Sequence, residues 1–197
     1  MALVKQPATN ATSTKQRILQ VATRLMQQRG FHGFTFQDIA KELGVSHVAV
    51  HHHYKTKGAL GAAALQAYTA HFVAELATIS ASVRDPRGQL QAYAKLFEAV
   101  ADGSDRVCLC SIMAAELVTL PDTVKPEVLR FYEHNEEWLA KVLAAATGKR
   151  STTQWIKQQA TSFFALLGGA MISARAFADP SRLTSAASLW IGNLPKT

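Results

Sequence analysis

His47 and His51 stand four residues apart in a run that continues through His52 and His53. Two imidazoles at that spacing share one face of a helix and could hold a metal ion between them. No Cys, Asp or Glu nearby completes a ligand set, so no metal is expected. The same imidazoles suit a plainer task, contact with the phosphates or base edges of a nucleic acid. Cys108 and Cys110, in the segment CLCSIMAAE, form a second reactive pair. A thiol near a helix start with Arg106 close by can have a lowered pKa, the condition for meeting electrophiles or oxidants. Two cysteines so close together do not make a secreted disulfide framework. Catalysis is not expected. The chain shows no Ser/His/Asp order, no Gly-rich phosphate loop and no paired-His motif with a carboxylate base, and no cofactor is implied.

The histidines must be positioned by residues 36–60, FQDIAKELGVSHVAVHHHYKTKGAL, whose spacing predicts a helix-turn-helix. Thr35 with Asp38 three residues on is a capping-box-like start, and Ile39, Ala40 and Leu43 fall on one face of a short helix. Gly44 makes the turn because the chain must leave that helix with positive φ, and Ser46 is placed as the N-cap of the next helix. Ala40 is small enough for the second helix to cross closely, while Val45 and Val50 pin it to the core. Ser46, His47, Ala49, His51 and His52 remain as its exposed face. Upstream, Ile18, Ala22, Leu25 and Met26 recur at helical spacing in a first helix stopped by Gly30, and Phe31, Phe34 and Phe36 close the small core. Downstream, Thr56 caps a long helix to about residue 81, with Leu60, Ala64, Leu65, Tyr68, Phe72 and Leu76 on its apolar face. Lys57 in its first turn opposes the helix dipole, so a phosphate arriving from outside is its expected partner.

The chain has 197 residues, 48% of them hydrophobic, with few Pro and Gly, enough to bury a real core in a helical fold. Its formal charge is +7, and residues 1–60 carry eight basic side chains against two acidic ones. A basic end fits an anionic partner such as DNA, and equally a solvated basic surface. Residues 1–13 read as a disordered Thr/Asn/Ala arm without the apolar stretch of a signal peptide. The longest apolar run, residues 163–174, is interrupted by glycines and too short to span a bilayer, so a cytoplasmic protein with no membrane partner is expected.

Taken in order, an amphipathic helix from Ile18 to Arg29, then Gly30-Phe31, Thr35, Ile39-Ala40, Gly44-Val45-Ser46, Tyr54, Lys57 and Leu60 resemble the DNA-binding domain of the TetR family of bacterial transcriptional repressors. The likeness covers about residues 15–60 and departs at His51, where the family usually carries Tyr as an aromatic phosphate contact. The resemblance implies an all-α chain: an N-terminal three-helix domain at residues 14–56, and a larger ligand-binding and dimerisation domain at 57–197. It also implies a homodimer on a palindromic, double-stranded operator, released by a small-molecule effector. The expected DNA-contacting set is Thr35, Ser46, His47, Ala49, His51, His52, Tyr54, Lys55 and Lys57.

Beyond residue 84, Arg84-Asp85-Pro86-Arg87-Gly88 marks a boundary before a helix at about 90–101, which Asp102-Gly103-Ser104-Asp105 ends. A short apolar helix closed by Pro121 follows, then helices from about Asp122 or Pro126 to Ala146, at about 152–178 and from 181 onward. The candidates for an effector pocket are Tyr68, Phe72, Tyr93, Phe97, Cys108, Met113, Phe131, Tyr132, His134 and Trp138, with Trp155 and Phe163; packed core is the alternative for each. Some relatives use a cysteine in this segment as an electrophile sensor, and Cys108 aligns with it. The helix at 152–178 is apolar on more than one face, which suggests self-association through Trp155, Phe163, Leu167, Ala170, Ala174 and Trp190, against a thick monomer core. A ligand-independent architectural DNA binder is the competing class.

Overall fold

Side-chain caps set the start of most helices. Ser13 accepts from the Gln16 N–H and the Gln16 side chain accepts from the Ser13 N–H, which opens α1 (Thr14–Arg29). Thr35 and Asp38 reciprocate in the same way at α2 (Phe36–Leu43). Ser46 caps α3 (His47–His53), Thr56 caps α4 (Lys57–Ser82), and Asp85 caps α5 (Pro86–Val100). After α6 (Leu109–Ala115) and a 3-10 turn at Leu117–Thr119 come α7 (Lys125–Thr147), α8 (Gln154–Phe177) and α9 (Ser181–Gly192). This computed structural model describes residues 13–101 and 105–195, and every regular element among them is helical. Residues 1–12 of the expected arm, and Asp102, Gly103 and Ser104 of the expected stop, lie outside the described residues.

Two elements differ from the sequence expectation for local reasons. α5 starts at Pro86, about four residues early, because the Asp85 carboxylate accepts from the Arg87 and Gly88 N–H groups and Pro at the first helical position needs no partner. The segment after Cys108 is no single helix. It breaks at Glu116, whose side chain is engaged by the Phe31 N–H just past the end of α1, and tightens into the 3-10 turn.

Two layers of packing follow. α1 lies across α2 and α4, while α8 sits between α7 and α9. The larger core is aromatic: Phe72 meets Tyr93, Phe97 and Phe131 edge-on at ring separations of 6.0, 5.8 and 5.0 Å. The Tyr93 hydroxyl, fully buried, donates to Asn135 Oδ1 at 2.7 Å, and Asn135 Nδ2 donates to the Phe131 carbonyl, so neither polar group is left unpaired.

α8 is long and apolar enough, by length and composition alone, to cross a membrane, which the shorter run at 163–174 did not suggest. Its stripe of Ile156, Ala160, Phe163, Leu167, Met171 and Ala174 is buried within the chain, as in a core helix. This corrects the expected dimer set. Phe163, Leu167 and Ala174 face inward and are unavailable to a second copy, Phe163 stacking on Trp190 at 4.2 Å. Ala170, Trp155 and Trp190 are half-buried.

Candidate nucleic-acid interface

Gly44 ends α2 with φ 66° and ψ 33°, the left-handed conformation the turn requires, and its N–H closes on Ala40 and Lys41 carbonyls. The Ser46 hydroxyl then accepts from the Ala49 N–H at 3.1 Å and α3 begins at once. Val50 is fully buried and fixes the rotation of α3, which leaves Ser46, His47, His51 and His52 exposed and Ala49 half-buried. His47 and His51 rings pack edge to face at 4.6 Å, and His51 packs on Phe36 at 4.7 Å. Thr35 is exposed beside them, its hydroxyl bonded to Asp38, and those bonds hold the Asp38 carboxyl below its ordinary pKa. Sequence reasoning missed Val48, which is 74% exposed on the same helix. Its signal was the two-residue offset from Val50, which on a helix puts the two valines on different faces.

Two expected contacts turn inward. Tyr54 is 6% exposed and belongs to the small core, and burial raises its pKa. The Lys57 ammonium donates to the Phe34 carbonyl and lies 4.3 and 5.0 Å from the Phe34 and Phe31 ring centres. Desolvation there lowers its pKa, partly opposed by Glu116 and Asp38. Lys57 therefore braces the helix-turn-helix from within, correcting the expectation of an ammonium presented to phosphate. Lys55, by contrast, is exposed.

The far end of α1 is held by residues remote in sequence. Glu116 accepts from the Phe31 N–H at 2.7 Å, Val107 N–H donates to the Gln27 carbonyl at 3.2 Å, and Arg175 donates to the Gln28 carbonyl at 2.8 Å. These satisfy groups that a helix end leaves open. His32 adds a contact to Thr119 at 3.1 Å.

Comparison with known proteins identifies the helix-turn-helix domain. The sequence model for bacterial regulatory proteins of the tetR family matches residues 18–64, which is the helix-turn-helix and the start of α4. A TetR transcriptional regulator from Legionella pneumophila superposes with a TM-score of 0.89 at 25% identity, covering 95% of this chain and all of the other. Residues 18–64 are a TetR-family DNA-binding domain, and the chain shares its fold with TetR-family regulators. A TetR-family regulator from Agrobacterium tumefaciens gives 0.84 at 28% identity, over 91% of this chain and 96% of that one. In sequence, the transcriptional repressor DhaR of Mycobacterium sp. (strain GP1) is 31% identical over 127 residues, 62% of this chain and 61% of that protein. The aligned part thus spans about three fifths of that relative's length. These similar proteins are transcriptional regulators.

The expected effector set splits. Tyr93, Phe97, Met113 and Phe131 are fully or almost fully buried against one another, and Phe72 and Cys108 nearly so. Trp138 is half-buried, stacked on Tyr93 at 5.3 Å with its Nε1–H on Ser80. Tyr132 is half-buried against Phe164, and burial pushes its phenol up to about 12. His134 is exposed and so does not line that interior, because it falls on the outer face of α7. An open cleft of about 1010 Å³ lies elsewhere, between α1, α4 and Arg106, and the candidate Tyr68 is among the residues that line it.

The Tyr68 hydroxyl donates to Cys108 Sγ at 3.7 Å. Cys108 is held down to about 6, first by the Cys110 thiol and then by Ser111 and Tyr68, while burial and Cys108 push Cys110 up. A folded pKa below the unfolded one means this ionisation adds stability that is complete above the unfolded thiol pKa and is lost as pH falls through about 6. Cys110→Ala removes the leading donor and moves the Cys108 titration upward. Thiolate absorbance against pH checks this, and a step that stays near pH 6 refutes it.

Proposed function

We propose that this chain is a DNA-binding transcriptional repressor that acts as a homodimer on a two-fold operator in the cytoplasm and is released by a small effector. The observation that carries the reading is the exposed face of α3, Ser46, His47, His51 and His52 fixed by buried Val50, on the third of the chain that holds most of the net positive charge. One such helix reads a half-site weakly, and a dimer doubles the contact. The outer side of α8 and α9 supports that dimer. Trp155, Leu166, Leu189 and Trp190 line an apolar groove of about 460 Å³, with Leu189 70% exposed.

The effector reading is supported by the open cleft beside Tyr68, which meets both α1 of the reading head and α4. An effector that releases DNA binds the DNA-free conformation more tightly, and operator must then weaken effector binding by the same factor.

Selection on random duplexes, followed by affinity against salt, tests the DNA reading. A defined palindromic site and a steep salt slope are expected, whereas duplex binding without sequence preference supports an architectural protein. Lys55→Gln flattens the slope by about 0.9 for each phosphate it no longer neutralises. Lys57→Gln lowers thermal stability and leaves the slope unchanged. A flattened slope with unaltered stability in that variant returns Lys57 to the phosphate set.

A further inference from the structure

α3 reads HVAVHHH and carries no Arg, Lys, Asn, Gln, Asp or Glu, the side chains that pair most selectively with base edges. Its outward chemistry is imidazole and aliphatic. Val48 is the large apolar group it exposes, at 74%, on the second residue of the helix. A β-branched side chain lowers helix propensity and gains nothing from water, so the folded monomer draws no stability from it there. On the same helix the His47 and His51 rings pack against each other and His51 packs on Phe36. An exposed methyl-bearing side chain on a helix that enters the major groove matches one base feature, the 5-methyl group of thymine.

We propose that Val48 is a specificity-determining residue, its isopropyl group packing on the 5-methyl group of a thymine at one fixed position in each half-site. The inference rests on the DNA-binding reading above. It makes that thymine selected for its methyl group rather than for its hydrogen-bonding edge.

The test replaces each thymine of the selected operator, one symmetric pair at a time, with deoxyuridine, which removes the methyl group and leaves the pairing and O4 in place. Burial of one methyl corresponds to about a fourfold change, so substitution in both half-sites weakens wild-type binding about tenfold to twentyfold at one position, and less than about twofold elsewhere. Val48→Ala keeps its thermal stability, binds the thymine operator about as weakly as wild type binds the uracil one, and no longer distinguishes the two. Wild-type affinity within about twofold for every uracil operator overturns the inference, as does a Val48→Ala variant that still discriminates. A wild-type protein that selects no duplex overturns the DNA-binding reading itself, a result separable from either of these.

Discussion

Gly30→Ala lowers the melting temperature by about 10 °C. Gly30 sits at φ 78° and ψ 177°, a region open in practice to glycine alone, and forcing a Cβ there costs about 1–3 kcal/mol. A Cβ would also lie 2.9 Å from Glu116 Cδ and overlap its carboxylate. Glu116 can swing away, but only by releasing the Phe31 N–H, and a hydrogen bond to a charged group contributes about 1.5–3 kcal/mol. Together these come to about 2.5–6 kcal/mol, at about 2–4 °C per kcal/mol in a chain of this size. The loss also frees the far end of α1 from the segment after α6, so the proposed effector response is expected to weaken along with stability. Gly192→Ala is the control, because a Cβ there meets nothing within 4 Å. Scanning calorimetry of both variants checks the claim. A Gly30→Ala protein that melts within about 2 °C of wild type would show that the junction is not strained.

Leu189→Asp yields a folded monomer that binds the operator at least about a hundredfold more weakly, because joining two half-site readers contributes avidity of about that size or more. Leu189 is 70% exposed in the single chain, so a carboxylate there costs the monomer little and lies in the middle of the proposed apolar face. Phe163→Asp behaves differently. Phe163 is fully buried, stacked on Trp190 and close to Tyr93, and losing such a ring costs about 3–5 kcal/mol before an unpaired charge is added to the core. That variant loses its fold rather than its partner. Sedimentation with circular dichroism separates the two cases. A Leu189→Asp protein that remains dimeric with intact operator affinity removes this face from the interface.

Local chemistry made much of the reading head legible. Ser46 and Thr35 are caps because a short side-chain oxygen beside a free N–H has few better uses, and Gly44 is the turn because the left-handed backbone there disfavours any residue with a Cβ. The apolar repeat of α1 and the burial of Val50 follow from helical period, and from them the rotation of α3. The direction of Lys57 was not legible. A cation in the first turn of a helix suits an outside phosphate, but whether it reaches outward depends on a carbonyl and two rings contributed by Phe31 and Phe34, more than twenty residues away.

The second half of the chain shows the same division more sharply. Period alone established that α8 is apolar on several faces, yet period is a property of one helix and does not say which face another helix covers. Packing against α7 and α9 assigned Phe163, Leu167 and Ala174 to the interior and left Ile172 and Leu189 outside. Aromatic side chains that spacing alone left open between pocket and packed core fill the volume between α4, α5, α7 and α8, their rings meeting edge to face or tilted. The grip of Glu116 and Arg175 on the end of α1 joins residues 85 and 147 positions apart. Caps, turns and helical faces depend on neighbours within four residues, so the sequence by itself determined them. The facing of one helix to another, and the pairing of charges across that gap, depend on distances that exist only once the chain has folded.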